Sequence, residues 1–66
     1  MNIELRFLQK AIEDKNYISF TYENQKLEKI KPMELIEKEG TYTLKVHNKI
    51  YDFDKIKRLQ ISKEKF

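Results

Sequence analysis

The sequence predicts an α+β domain: an N-terminal helix followed by a five-stranded, strongly bent antiparallel sheet curled into a small, partly open barrel. Three observations predict it. An apolar stripe at helical spacing opens the chain, period-2 segments fill the rest, and short polar turns separate them. The clearest segment is Gly40-Thr41-Tyr42-Thr43-Leu44-Lys45-Val46, which begins at the only glycine and reads as a central strand. At 66 residues the chain makes one domain (1–66), too small by this reading for two packed sheets.

The helix spans 2–15. Asn2 can cap it, Glu4 suits its dipole, and Ile3, Phe7, Leu8, Ala11 and Ile12 share one face that Leu5 widens. Asp14-Lys15-Asn16 ends it, with Asn16 as the left-handed exit residue. Such a short helix is marginal alone, so its stripe must cover a sheet.

The barrel spans 17–62. Its first strand, Tyr17 to Glu23, sets Ile18, Phe20 and Tyr22 against Tyr17, Ser19 and Thr21. Asn24-Gln25-Lys26 reads as a turn, and Leu27 to Glu37 as one long second strand. Pro32 cannot donate to a ladder, and the apolar phase changes there, so a bulge is expected at that point. Lys38-Glu39-Gly40 makes a hairpin turn with Gly40 at positive φ. After the Tyr42–Val46 strand come the turn His47-Asn48-Lys49, a strand Ile50 to Phe53, a helical turn Asp54–Lys57 capped by Asp54, and a closing strand Arg58 to Ile61. Residues 63–66 read as a frayed tail, with Phe66 the one side chain able to dock.

Composition narrows the function. No cysteine is present, so disulfides and thiolate metal sites are excluded. No apolar run is long enough for a membrane span or a signal peptide, which points to a soluble, cytoplasmic protein with no membrane partner. His47 stands alone. Asp52 and Asp54 are flanked by Lys49, Lys55, Lys57 and Arg58 and read as salt-bridge partners, while Ser19 and Ser62 have no neighbouring base. One glycine cannot make a phosphate-binding glycine loop. No enzyme and no cofactor are expected.

The net charge is +3, and the stretch from Lys49 to Phe66 holds six Lys or Arg against three Asp or Glu, enough to account for the excess. Small sheet domains bind anions or single strands by combining such cations with exposed aromatics. Tyr17, out of phase with the apolar face, and Tyr51 are the stacking candidates. Lys29, Lys31, Lys45, Lys49 and Lys55 are the anion contacts, with Thr43 and His47 on the polar side of the central strand.

Five segments, taken in order, resemble the WYL domain of bacterial regulators. They are Leu8-Gln9-Lys10-Ala11-Ile12, Ile18-Ser19-Phe20-Thr21-Tyr22, Ile30-Lys31-Pro32-Met33-Glu34-Leu35, Gly40-Thr41-Tyr42-Thr43-Leu44 and Tyr51-Asp52-Phe53-Asp54-Lys55-Ile56. The resemblance implies a minimal Sm/SH3-like barrel acting as a non-enzymatic regulatory module for an anionic ligand, such as a nucleotide or single-stranded nucleic acid. Thr43 stands where the family's triplet has tyrosine, and Asp52 and Lys55 stand where it has arginines. Lysine keeps the charge but loses the bidentate fork, and aspartate reverses it. The alternative expectation is a protein-interaction or assembly module with a degenerate ligand site. An effector protein or a second copy of the chain would then be the partner.

Overall fold

The computed structural model describes residues 3–66, so the expected cap Asn2 lies outside the described residues. Helix α1 runs Ile3–Asp14, and six strands follow: β1 Asn16–Tyr22, β2 Gln25–Ile30, β3 Glu34–Lys38, β4 Thr41–Lys45, β5 Ile50–Asp52 and β6 Ile56–Lys65. A 3₁₀ turn, Phe53–Lys55, joins the last two. The strands form two three-stranded antiparallel sheets, ordered β2-β1-β6 and β3-β4-β5. The expected five-stranded barrel is therefore wrong in strand number and in closure.

Pro32 explains the difference. It is fully buried and has no N–H, so it stops the ladder outright instead of bulging it. Lys31-Pro32-Met33 carries the chain from one sheet to the other, and the Met33 N–H donates to the Lys45 carbonyl at 3.1 Å. The expected strand Leu27–Glu37 is thus two strands in different sheets. Bulges do occur, but elsewhere. Between Ile18 and Phe20, β1 meets an extra residue in β2; against β6 it meets two extra residues between Asn16 and Ile18 and one between Ser19 and Thr21. Lys29 (φ 53°) sits in the β2 bulge and Arg58 (φ 54°) in the β6 bulge opposite Ser19 and Thr21, at a backbone conformation that favours glycine.

Two-residue hairpin loops fall where φ is positive at both central residues, as type I′ turns require: Glu23-Asn24 and Glu39-Gly40. Gly40 is needed for its φ of 80° and not for space, since a Cβ there would meet nothing. The helix exit is Lys15 (φ 58°), not Asn16. Asn16 already belongs to β1, where its side-chain amide donates to the Ser62 carbonyl at 2.8 Å. The 3₁₀ turn begins one residue before the expected Asp54 cap, and its actual cap residue, Asp52, makes no side-chain capping bond.

The tail does not fray. Strand β6 continues to Lys65, the Phe66 N–H donates to the Lys15 carbonyl at 2.9 Å, and the Phe66 ring lies 5.4 Å from that of Tyr17.

A single core sits between the sheets and is closed by α1. Leu8 and Ala11 meet Ile18, Phe20 and Ile56 from one sheet, Leu44 and Tyr51 from the other, and Phe53 from the 3₁₀ turn. Aromatic rings tie the sheets together: Tyr51 lies edge-on to Phe20 at 5.3 Å and to Tyr22 at 4.8 Å. The Asp52 N–H donates to the Tyr22 phenol at 3.1 Å. On β4, Leu44 is buried and Tyr42 packs against the core, as does Val46 just beyond the strand, as their alternation predicts. Strand β4 is central, but in only one of the two sheets.

Tyr42 stands opposite Glu37 across the β3–β4 pair. Its hydroxyl hydrogen bond to that carboxylate, the negative charge beside it and partial burial raise its pKa above 10.0. The raised value makes a stabilising contribution that is intact below pH 10.0 and lost as pH rises through the folded-state value. Glu37→Ala is expected to bring this tyrosine back toward its ordinary titration, read by tyrosinate absorbance. An unchanged alkaline titration would contradict the pairing.

Candidate anion and nucleic-acid interface

In β1, Ile18 and Phe20 turn inward, so Tyr17, Ser19 and Thr21 face away from the core. Residues paired directly across a sheet share a face. Thr21 pairs with Lys26 on one side and Lys57 on the other, and Ser19 pairs with Gln60. The outer face of the β2-β1-β6 sheet is therefore a row of hydroxyls flanked by cations. Arg58 joins Ser19, Thr21, Lys26 and Gln60 around a recess of about 160 Å³ whose floor includes Phe20.

At one end of this face Tyr17 packs on Phe66, and the Lys31 ammonium stands 5.8 Å from the centre of the Phe66 ring. At the other end Thr21 and Lys57 border a second recess of about 340 Å³ that also takes in Lys55, Glu23 and Asp54. Of the residues expected at a ligand site, Tyr17, Lys31 and Lys55 thus lie along one sheet face.

Thr43, Lys45, His47 and Lys49 do not. Thr43 is half-buried in β4, between Ile36 and Asp52. Lys45 and the exposed His47 border a shallow groove with Met33, Glu34 and Val46. Lys49 lies in the turn before β5, where its carbonyl accepts from the Val46 N–H at 2.9 Å. Tyr51 is buried and offers no stacking surface. Lys55 is itself 3.9 Å from Asp52, the aspartate that stands where the family resemblance has an arginine.

Charge on the outer face is only partly compensated. Lys26 pairs with Glu28 at 3.4 Å and Lys29 with Glu64 at 3.9 Å, both pairs exposed and therefore weak. Lys57 and Arg58 have no carboxylate within ion-pair distance among the described residues. Sequence reasoning missed Arg58 because it read that residue as the start of a strand; it named Phe66 as able to dock but not as part of the site. The parity of Ser19 and Thr21 with Tyr17 was the available signal for the face.

Among the described residues no cluster of three His, Cys, Asp or Glu side chains could hold a metal ion, and no helix is long and apolar enough to cross a membrane. No protein-family model, curated protein or solved structure matches the chain.

Proposed function

We propose that the chain is a non-enzymatic binding module for an anionic ligand, best described as single-stranded nucleic acid or a nucleotide, received on the outer face of the β2-β1-β6 sheet. The observation that carries this reading is the convergence on that face of the Tyr17–Phe66 ring pair, Lys31, and the uncompensated Lys57 and Arg58. Aromatics supply sequence-tolerant stacking and the cations follow the backbone. The ordered resemblance to the WYL domain supports the same ligand class and a regulatory role in a bacterial cytoplasm, with an effector protein as the recipient of the signal.

The test is a fluorescence anisotropy titration of labelled oligo-dT and oligo-rU at low and higher salt. Three phosphate contacts would give a log–log salt slope near −2, so raising salt fourfold should weaken binding by roughly twentyfold. Lys31→Glu should weaken it by about tenfold at low salt. No measurable affinity at low salt would sink the nucleic-acid reading.

A second reading, a protein-interaction or assembly module, draws on the groove of about 690 Å³ between α1 and β6, where Phe7 and Ile61 are exposed beside Ala11 and Leu59. Light scattering of the wild type and of Phe7→Glu distinguishes it: a monomer in both cases counts against a second copy as the occupant.

A further inference from the structure

We propose that the recess formed by Arg58, Lys26, Ser19, Thr21 and Gln60 is a binding site for one phosphate group. The inference deepens the preceding reading and rests on it for the source of that group, a phosphodiester of a single strand.

Size comes first. A volume of about 160 Å³ equals roughly five waters, which suits a partly hydrated phosphate and is too small for a nucleoside. The two grooves beside α1, at about 640 and 690 Å³, are several times larger. Donor chemistry comes second. Arg58 offers a planar fork of N–H groups, Lys26 an ammonium, Ser19 and Thr21 their hydroxyls, and Gln60 its amide. The side chains of Arg58, Ser19, Thr21 and Gln60 have no hydrogen-bond partner among the described residues. Lys26 is held only by its exposed pair with Glu28, a contact that a phosphate can displace.

The backbone sets where the guanidinium lies. Arg58 occupies a bulge at φ 54°, a position where glycine would be unstrained. Lys29, in the bulge of β2, shares this conformation, so the strain belongs to the bulge, and it is the donors that mark the recess as a site. Here the bulge brings a guanidinium to the recess on the face whose neighbouring β1 residue, two positions from Ser19, is Tyr17. At about 3.3 Å per residue the Tyr17 and Ser19 backbones lie roughly 7 Å apart on that face. One nucleotide can therefore place its phosphate in the recess and its base against the Tyr17–Phe66 pair.

Arg58→Gly tests the proposal, because it removes the guanidinium from a site whose backbone glycine accepts. Two titrations are made on the full chain. In the first, labelled oligo-dT should bind the variant at least about tenfold more weakly than the wild type, with a salt slope smaller by about 0.7. Equal affinity and slope would overturn the recess while leaving the broader reading in place. In the second, inorganic phosphate is added to ¹⁵N-labelled protein. Amide shifts centred on Ser19, Thr21, Arg58 and Gln60 that vanish in the variant support the site, even where the wild type binds no oligonucleotide and the nucleic-acid reading fails. Shifts absent, or unchanged by the substitution, mean an adventitious ion only and overturn it.

Discussion

Phe20→Ala is expected to leave little or no cooperative unfolding transition at ambient temperature. Phe20 is about 1% exposed and lies at the centre of β1, where it touches both sheets through Tyr22 and Tyr51. Truncating a fully buried phenylalanine costs about 3–5 kcal/mol, and a domain this small commonly holds only about 3–5 kcal/mol in total. Urea denaturation followed by far-ultraviolet circular dichroism measures the loss. Phe7→Ala is the control: Phe7 is 53% exposed, and its truncation should cost no more than about 0.5 kcal/mol. A loss below about 1 kcal/mol at Phe20 would mean that the two sheets do not share one core.

Arg58→Gly should stabilise the fold while it weakens anion binding. Glycine relieves about 1–2 kcal/mol of left-handed strain and gives back part of that through its freer unfolded chain. The net gain is about 0.5–1 kcal/mol, a rise of roughly 2–8 °C in thermal midpoint for a domain of this size. Lys57→Gly, one residue earlier and without positive φ, should lower the midpoint instead, because glycine weakens a regular strand. A fall in midpoint for Arg58→Gly would show that the arginine side chain contributes to folding.

Much of the secondary structure was legible. The helix face, the alternation in β1 and β4, and the Gly40 turn each rest on local rules of spacing and φ, which neighbours along the chain suffice to express. Pro32 was legible as an interruption but not as a crossing. Parity reports that a strand changes phase, and either a bulge or a sheet-to-sheet passage produces that change. The bulges at Lys29 and Arg58 left no trace of their own, since neither is a residue that favours positive φ.

The candidate face divides in the same way. Tyr17 and Lys31 were identifiable by phase and charge, yet they lie 14 positions apart and meet only through Phe66, whose placement depends on β6 running antiparallel to β1 as far as Lys65. Lys45, His47 and Lys49 carry similar local signals and sit elsewhere on the molecule, because Pro32 sends the following strands into the other sheet.

By itself, the amino-acid sequence determined an amphipathic helix, strands of the right polarity and a basic excess toward the C-terminal end, all consequences of residue type and short-range periodicity. Only the tertiary structure decided that the strands form two sheets instead of one, that Phe66 completes an aromatic pair, and that Arg58 turns into a polar recess. The physical reason is register: which residues face one another across β1 is set by long-range pairing and by irregularities along β2 and β6, and neither is written in the spacing of the chain.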